Sequence, residues 1–258
     1  MTEETVRNHW PTVAALSVMA MCLVTFDHEA LGHGSACLLL HGRIRMLTSS
    51  VFHCDAKSDW IDPAGPAMNA LIGAVALAFA HLVARQRARL RFFLLLVTAF
   101  SWFWETIYLA HAMLRRDGDL YFFARFLSGN VGAGERAALG VLGLALYLLV
   151  AKLISGELSR LWPQARTARS AARTAWLWAT LAAAGAALPF WWRDWPEVRD
   201  AVLEIGGASL PLLLIPRRGR DGPGTPPGVV IGPSPVIMIL AVAVYVAFVC
   251  GLGRGLSI

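Results

Sequence analysis

Between Phe26 and Gly34 the chain reads Phe-Asp-His-Glu-Ala-Leu-Gly-His-Gly, which sets Asp27, His28, Glu29 and His33 inside an otherwise apolar stretch. Ionisable side chains in a hydrophobic run are costly enough that they face a cavity, a partner or a metal ion. Imidazole nitrogens suit zinc, and a neighbouring carboxylate can take a proton from a zinc-activated water, which makes Glu29 the candidate general base. The spacing is His-Glu-x-x-x-His, one residue longer than the usual His-Glu-x-x-His zinc motif. On a straight α-helix residues four apart lie about 40° apart around the axis and residues five apart about 140°, so His28 and His33 cannot share an ion there. A π-type turn absorbs one extra residue, such turns concentrate at functional sites, and Gly32 would ease one. The alternative pairs Glu29 with His33, four apart, and leaves His28 outside the ligand set. The plainest reading has these groups hydrogen-bonded to one another with no metal.

The elements that must hold this cluster are membrane helices. Of 258 residues, 57% are hydrophobic and 16% charged, a balance that points to lipid as the solvent. The apolar runs are continuous and do not alternate, which argues against a β-barrel. The fold expected is all-α, a polytopic transmembrane helix bundle of six to seven spans. The spans fall at about residues 11–40, 67–84, 92–114, 137–154, 175–192 and 229–250, with 201–215 as a shorter seventh candidate. The first is too long for one ordinary span, and its charged residues imply a break, a tilt or a second half-helix. Trp191, Trp192 and Trp195 read as an aromatic belt. Arg217, Arg218, Arg220 and the Gly/Pro-rich run 222–228 read as a flexible linker. The chain thus divides into a membrane core at 1–125, further membrane helices at 126–216, the linker at 217–228 and a last span within 229–258.

The net charge of +6 resides in short arginine clusters between apolar runs, an orientation signal and not a nucleic-acid-binding stripe. Arg85, Arg87, Arg89 and Arg91 mark one cytoplasmic loop, and Lys152, Arg160, Arg166, Arg169 and Arg173 mark another. The amino terminus is then cytoplasmic, in a plasma or inner membrane, and both the 41–62 loop and the 115–136 segment lie outside. Cys22, Cys37 and Cys250 sit in or beside apolar segments and Cys54 stands alone in a polar loop, so no disulfide framework is visible. Glu105, one residue after Trp104 and six before His111, reads as a structural hydrogen-bonding group. His53 and Cys54 are candidates to cap the site. Ser101 has no histidine at a recognisable spacing, which leaves a serine hydrolase unsupported.

His28-Glu29 with Gly32-His33-Gly34, followed by Leu38-Leu39-Leu40-His41-Gly42-Arg43-Ile44, resembles the metal-binding first helix of site-2-protease-like membrane zinc metallopeptidases. Ala64-Gly65-Pro66-Ala67-Met68-Asn69 is similar to the Ala-Gly-Pro-x-x-Asn that opens a later membrane helix in that family, so the resemblance extends over residues 20–125. It implies a Zn2+ cofactor held by His28 and His33, Glu29 as the catalytic base and Asn69 as a substrate-positioning residue. The family's third ligand is an aspartate in Leu-Asp-Gly, a tripeptide this chain lacks; the nearest substitute is Asp117-Gly118-Asp119-Leu120, with Asp119 preferred over Asp117. The implied function is peptide-bond hydrolysis at the bilayer, with membrane lipid and a membrane-protein substrate as partners. A metal-dependent lipid amide or ester hydrolase, or a non-catalytic metal-binding membrane protein or transporter, would use the same residues. The arginine pattern sets Glu29, His33, Gly65 and Asp119 toward the outer face, opposite to the cytoplasm-facing site common in that family.

Overall fold

The stretch that carries the ionisable cluster is helical without interruption in the computed structural model, which describes residues 8–190, 195–214 and 228–256. Helix α1 (Trp10–Phe26) widens into a π-helix over Asp27–Gly34 and returns to α-helix in α2 (Ser35–Leu39). No break or separate half-helix forms: the surplus residue is absorbed by widening the turn. Five helical stretches are long and apolar enough to cross a membrane: Trp10–Leu39, Ala64–Leu82, Ala88–Arg115, Ala133–Leu161 and Pro235–Arg254. The second, third and fourth are helices α3, α4 and α6, and the fifth is α9 (Pro235–Cys250) with a short 3-10 turn, Leu252–Arg254.

Between these lie α5 (Asp119–Ser128), α7 (Ala165–Ala187) and α8 (Trp195–Ala201). The 201–215 segment is not one regular span. A second π-helix occupies Val202–Gly207 and a 3-10 turn Leu210–Leu213. The last helix starts at Pro235 and not near 229, because residues 228–234 are extended. Trp191, Trp192 and 215–227, the greater part of the expected belt and linker, lie outside the described residues, as does the side chain of Trp195.

Contacts define two ends of the bundle. At one, the His9 amide donates to the Ile231 carbonyl, Arg89 to Pro233 and the Trp162 indole to Val229. At the other, the antiparallel hairpin β1 (Ile44–Leu47) and β2 (Phe52–Cys54) closes the 41–62 loop, and Leu256 bridges to Leu47. Cys37 and Cys54, which show no disulfide framework in the sequence, are joined by a disulfide with Cα atoms 6.0 Å apart. It ties the end of the first helical stretch to the hairpin. Helix α7 also runs from one end to the other, from the segment after Leu161 to the turn Leu188–Phe190 against Leu252–Arg254. It presents a buried alanine stripe (Ala168, Ala172, Ala175, Ala179, Ala183 and Ala186), small enough for close packing with α1.

The core lies where α1, α4 and α7 meet, around Met21, Leu96, Phe100 and Phe103. On α6, by contrast, Val141, Leu144, Leu148 and Leu149 are exposed, an apolar surface suited to lipid and not to water.

Candidate metal centre

The π-helix brings together two side chains that an α-helix would splay. His28 Nε2 and His33 Nε2 lie 3.2 Å apart, and both rings are buried. The outer nitrogen of each ring is engaged: His28 Nδ1 is 3.0 Å from Glu105 Oε1, and His33 Nδ1 is 2.8 Å from the Ile61 carbonyl. Carboxylate and carbonyl oxygens only accept, so both Nδ1 atoms carry the proton and both Nε2 atoms offer a lone pair; the tautomers follow from these partners. Aromatic rings fix the orientations. Trp104 stacks on His28 at 4.4 Å, and Phe52, from β2, on His33 at 5.5 Å.

Space for the two imidazoles comes from glycine. A Cβ on Gly65 would fall 2.3 Å from His33 Nε2 and 2.7 Å from His28 Nε2, and a Cβ on Gly32 would fall 2.5 Å from the Gly65 Cα. The start of α3 therefore packs backbone to backbone against the π-helix.

The third group arrives from α5. Helix α4 ends at Arg115; the next residue, Arg116, takes a left-handed conformation with φ 60°, and Gly118 follows at φ 88°. This turn sets Asp119 Oδ2 at 3.4 Å from His33 Nε2 and 3.8 Å from His28 Nε2. The Tyr108 hydroxyl accepts from the Asp119 amide at 3.0 Å and donates to its Oδ2 at 3.5 Å. Asp117, the second choice from the sequence, stays in the exposed turn.

Two lone-pair nitrogens and a carboxylate oxygen thus converge with no donor among them, an arrangement that could hold a metal ion. Ligand atoms about 2.0–2.1 Å from a tetrahedral zinc lie about 3.3 Å from one another. The observed separations of 3.2, 3.4 and 3.8 Å fit that triangle. Of the two pairings left open by the sequence, the geometry brings His28 and His33 together, with Asp119 the third group that could hold a metal ion.

Glu29 is buried beside them, close enough for its charge to act on both imidazoles, and its Oε2 has no hydrogen-bond partner. Asn69 Nδ2 donates to Glu105 Oε1 at 2.8 Å and lies 3.1 Å from His28 Nδ1, while its Oδ1 is buried and unpartnered. Asp62 stands at the edge of the site, its carboxyl pushed up to about 6 by burial and by the nearby Asp119.

Phe52, Tyr108, the Ile61 carbonyl and Asp62 are absent from the sequence reading. Tyr108 lies one helical turn after Trp104 and Glu105 on α4, a polar-tipped stripe in an apolar helix, which is the signal that could have found it. Of the expected caps, Cys54 is consumed by the disulfide, and the ring over His33 belongs to Phe52 and not His53. Compared with protein-family models, curated proteins and solved structures, the chain matches none.

Proposed function

We propose that this chain is a membrane-embedded, zinc-dependent peptidase in which His28, His33 and Asp119 hold the metal and Glu29 is the general base. The single observation that carries this reading is the convergence of two imidazole lone pairs and a carboxylate, at zinc-like separations, beside a buried glutamate oxygen that nothing else engages. Zinc bound there would supply a Lewis acid in a low-dielectric pocket, where electrostatic stabilisation of a developing oxyanion is strongest. Glu29 takes a proton from the attacking water and passes it to the departing amine as the carbonyl carbon–nitrogen bond breaks and a carbon–oxygen bond forms. Glu105 and the Ile61 carbonyl hold the two imidazoles in the tautomer that binds metal. Asn69, through its free Oδ1, is the group proposed to position a substrate backbone.

The proposal includes six to seven spans, with α7 crossing beside the five more apolar helices and 195–214 re-entering from the end that carries the hairpin. It also includes an orientation. The arginines of 85–91 and 160–173 belong on the cytoplasmic side, and the Cys37–Cys54 disulfide suits an oxidising outer compartment. Peptide substrate would then be cut near the outer boundary of the bilayer.

The test is metal content alongside turnover. The purified protein is expected to hold one zinc, His33→Ala to lose it, and Glu29→Gln to keep it while peptide cleavage falls at least about a hundredfold. Unchanged zinc stoichiometry in His33→Ala removes the metal site, and undiminished cleavage in Glu29→Gln removes the base assignment.

A further inference from the structure

Helix α5 joins the ends of two long apolar helices, α4 and α6, and its first residue is Asp119. Its sequence, Asp-Leu-Tyr-Phe-Phe-Ala-Arg-Phe-Leu-Ser, is almost wholly apolar, yet none of its residues is buried. One side, Leu120, Tyr121 and Ala124, packs on Ala112, Met113 and Val131. The other side carries Phe123 and Phe126, whose rings lie 5.5 and 5.7 Å from that of Trp60, and Leu127. Trp60 is 57% exposed, Phe126 43% and Leu127 65%.

A helix of this length is marginal in water even with good helix formers, and an aromatic face on it needs cover. No protein segment among the described residues supplies that cover. The occupant that fits is the lipid interface. The helix sits at the shared boundary of two candidate spans, next to Leu114, which is 81% exposed at the end of α4. Tryptophan and phenylalanine settle at that depth, and Arg115, Arg116 and Arg125 on the same turn and helix can meet headgroup phosphates.

The aromatic cluster touches both flanks of the metal centre. Trp60 precedes Ile61, whose carbonyl orients His33, while Phe123 and Phe126 share a short helix with Asp119. We propose that α5 and Trp60 form a lipid-seated collar, and that its contact with the bilayer interface holds Asp119 against the two imidazoles. The coupling rests on the metal reading above; the lipid seating does not. Metal affinity is then higher in a bilayer than where this face is stripped of lipid.

Two measurements on the full chain test the two halves. A fluorophore on Leu127→Cys, in a Cys250→Ser background, is expected to be quenched by phosphatidylcholine–phosphatidylglycerol vesicles brominated high in the acyl chain and to be shielded from aqueous iodide. Iodide quenching without bromolipid quenching overturns the seating, whether or not metal is bound. In the same vesicles, Phe126→Asp is expected to weaken zinc binding about tenfold or more, the range for lost supporting contacts, while Phe126→Leu binds like the parent. The Cys37–Cys54 cross-link on a non-reducing gel reports that Phe126→Asp has folded. Equal zinc affinity in a cross-linked Phe126→Asp overturns the coupling. A parent that binds no zinc overturns the coupling together with the proposed function, and leaves the seating to be decided by the quenching alone.

Discussion

His28 is gripped on every side: Trp104 covers one ring face, Glu105 engages Nδ1, and Asn69 supports Glu105. Such an outer carboxylate fixes the ring and, in the proposed metal site, would raise the basicity of the nitrogen that meets the metal. Replacing Glu105 by Gln keeps the shape but removes the charge. Glu105→Gln is therefore expected to hold zinc about 10- to 100-fold less tightly without losing it, as read by competition with a chromogenic chelator. Affinity equal to the parent's would show that the Glu105 contact does not tune the site. The same network explains why Glu105 looked ordinary in the sequence. A lone acid in an apolar helix signals a polar partner, but the identity of that partner, 77 residues away along the chain, is a fact of three-dimensional packing.

Among the elements, the π-helix was the most legible, since an extra residue between two histidines has few ways to keep both on one face. Its neighbour was not. That Gly32 and Gly65 let two backbones meet follows only once α3 is docked, although both glycines stand inside recognisable motifs. Gly32→Ala would press a methyl group into the Gly65 backbone, and overpacking of this kind costs about 1–3 kcal/mol. The expected result is a lower melting temperature together with loss of bound zinc, measured by thermal unfolding and metal analysis; a variant as stable and as metal-rich as the parent would contradict the close approach. Helix ends were misjudged for a different reason. Helix α4 begins at Ala88 and α7 at Ala165, well before the apolar runs suggested, because Arg89, Arg91, Arg166 and Arg169 are helical, with Arg89 donating to the Pro233 carbonyl and Arg91 meeting the buried Glu157 carboxylate. The hairpin and the disulfide were hidden because Cys37 lies in an apolar run and its partner is 17 residues on, beyond a turn whose pairing leaves little trace in hydropathy.

At the scale of the whole molecule, arginine-rich turns gather at one end and the disulfide, the hairpin and Asp119 at the other. Both features independently support the proposed orientation, in which the second end faces outside. In intact cells, with Cys250 replaced by Ser, a membrane-impermeant thiol reagent is expected to label Cys37 and Cys54 only after external reduction. Labelling before reduction would mean that the pair is not bonded, and labelling only after lysis would reverse the orientation. Cys22 is buried in α1 and is not expected to contribute.

The order of the groups along the chain has a consequence for synthesis. The first helical stretch leaves the ribosome with Asp27, His28, Glu29 and His33, whereas Asn69, Glu105 and Asp119, which compensate them, have not yet been translated. Its initial insertion must therefore be driven by the 17 residues of Trp10–Phe26, which contain no charged side chain. The polar half can settle at full membrane depth only after α4 and the start of α5 have emerged, so the nascent chain passes through a stage in which it is inserted but still lacks the third group of the proposed metal site.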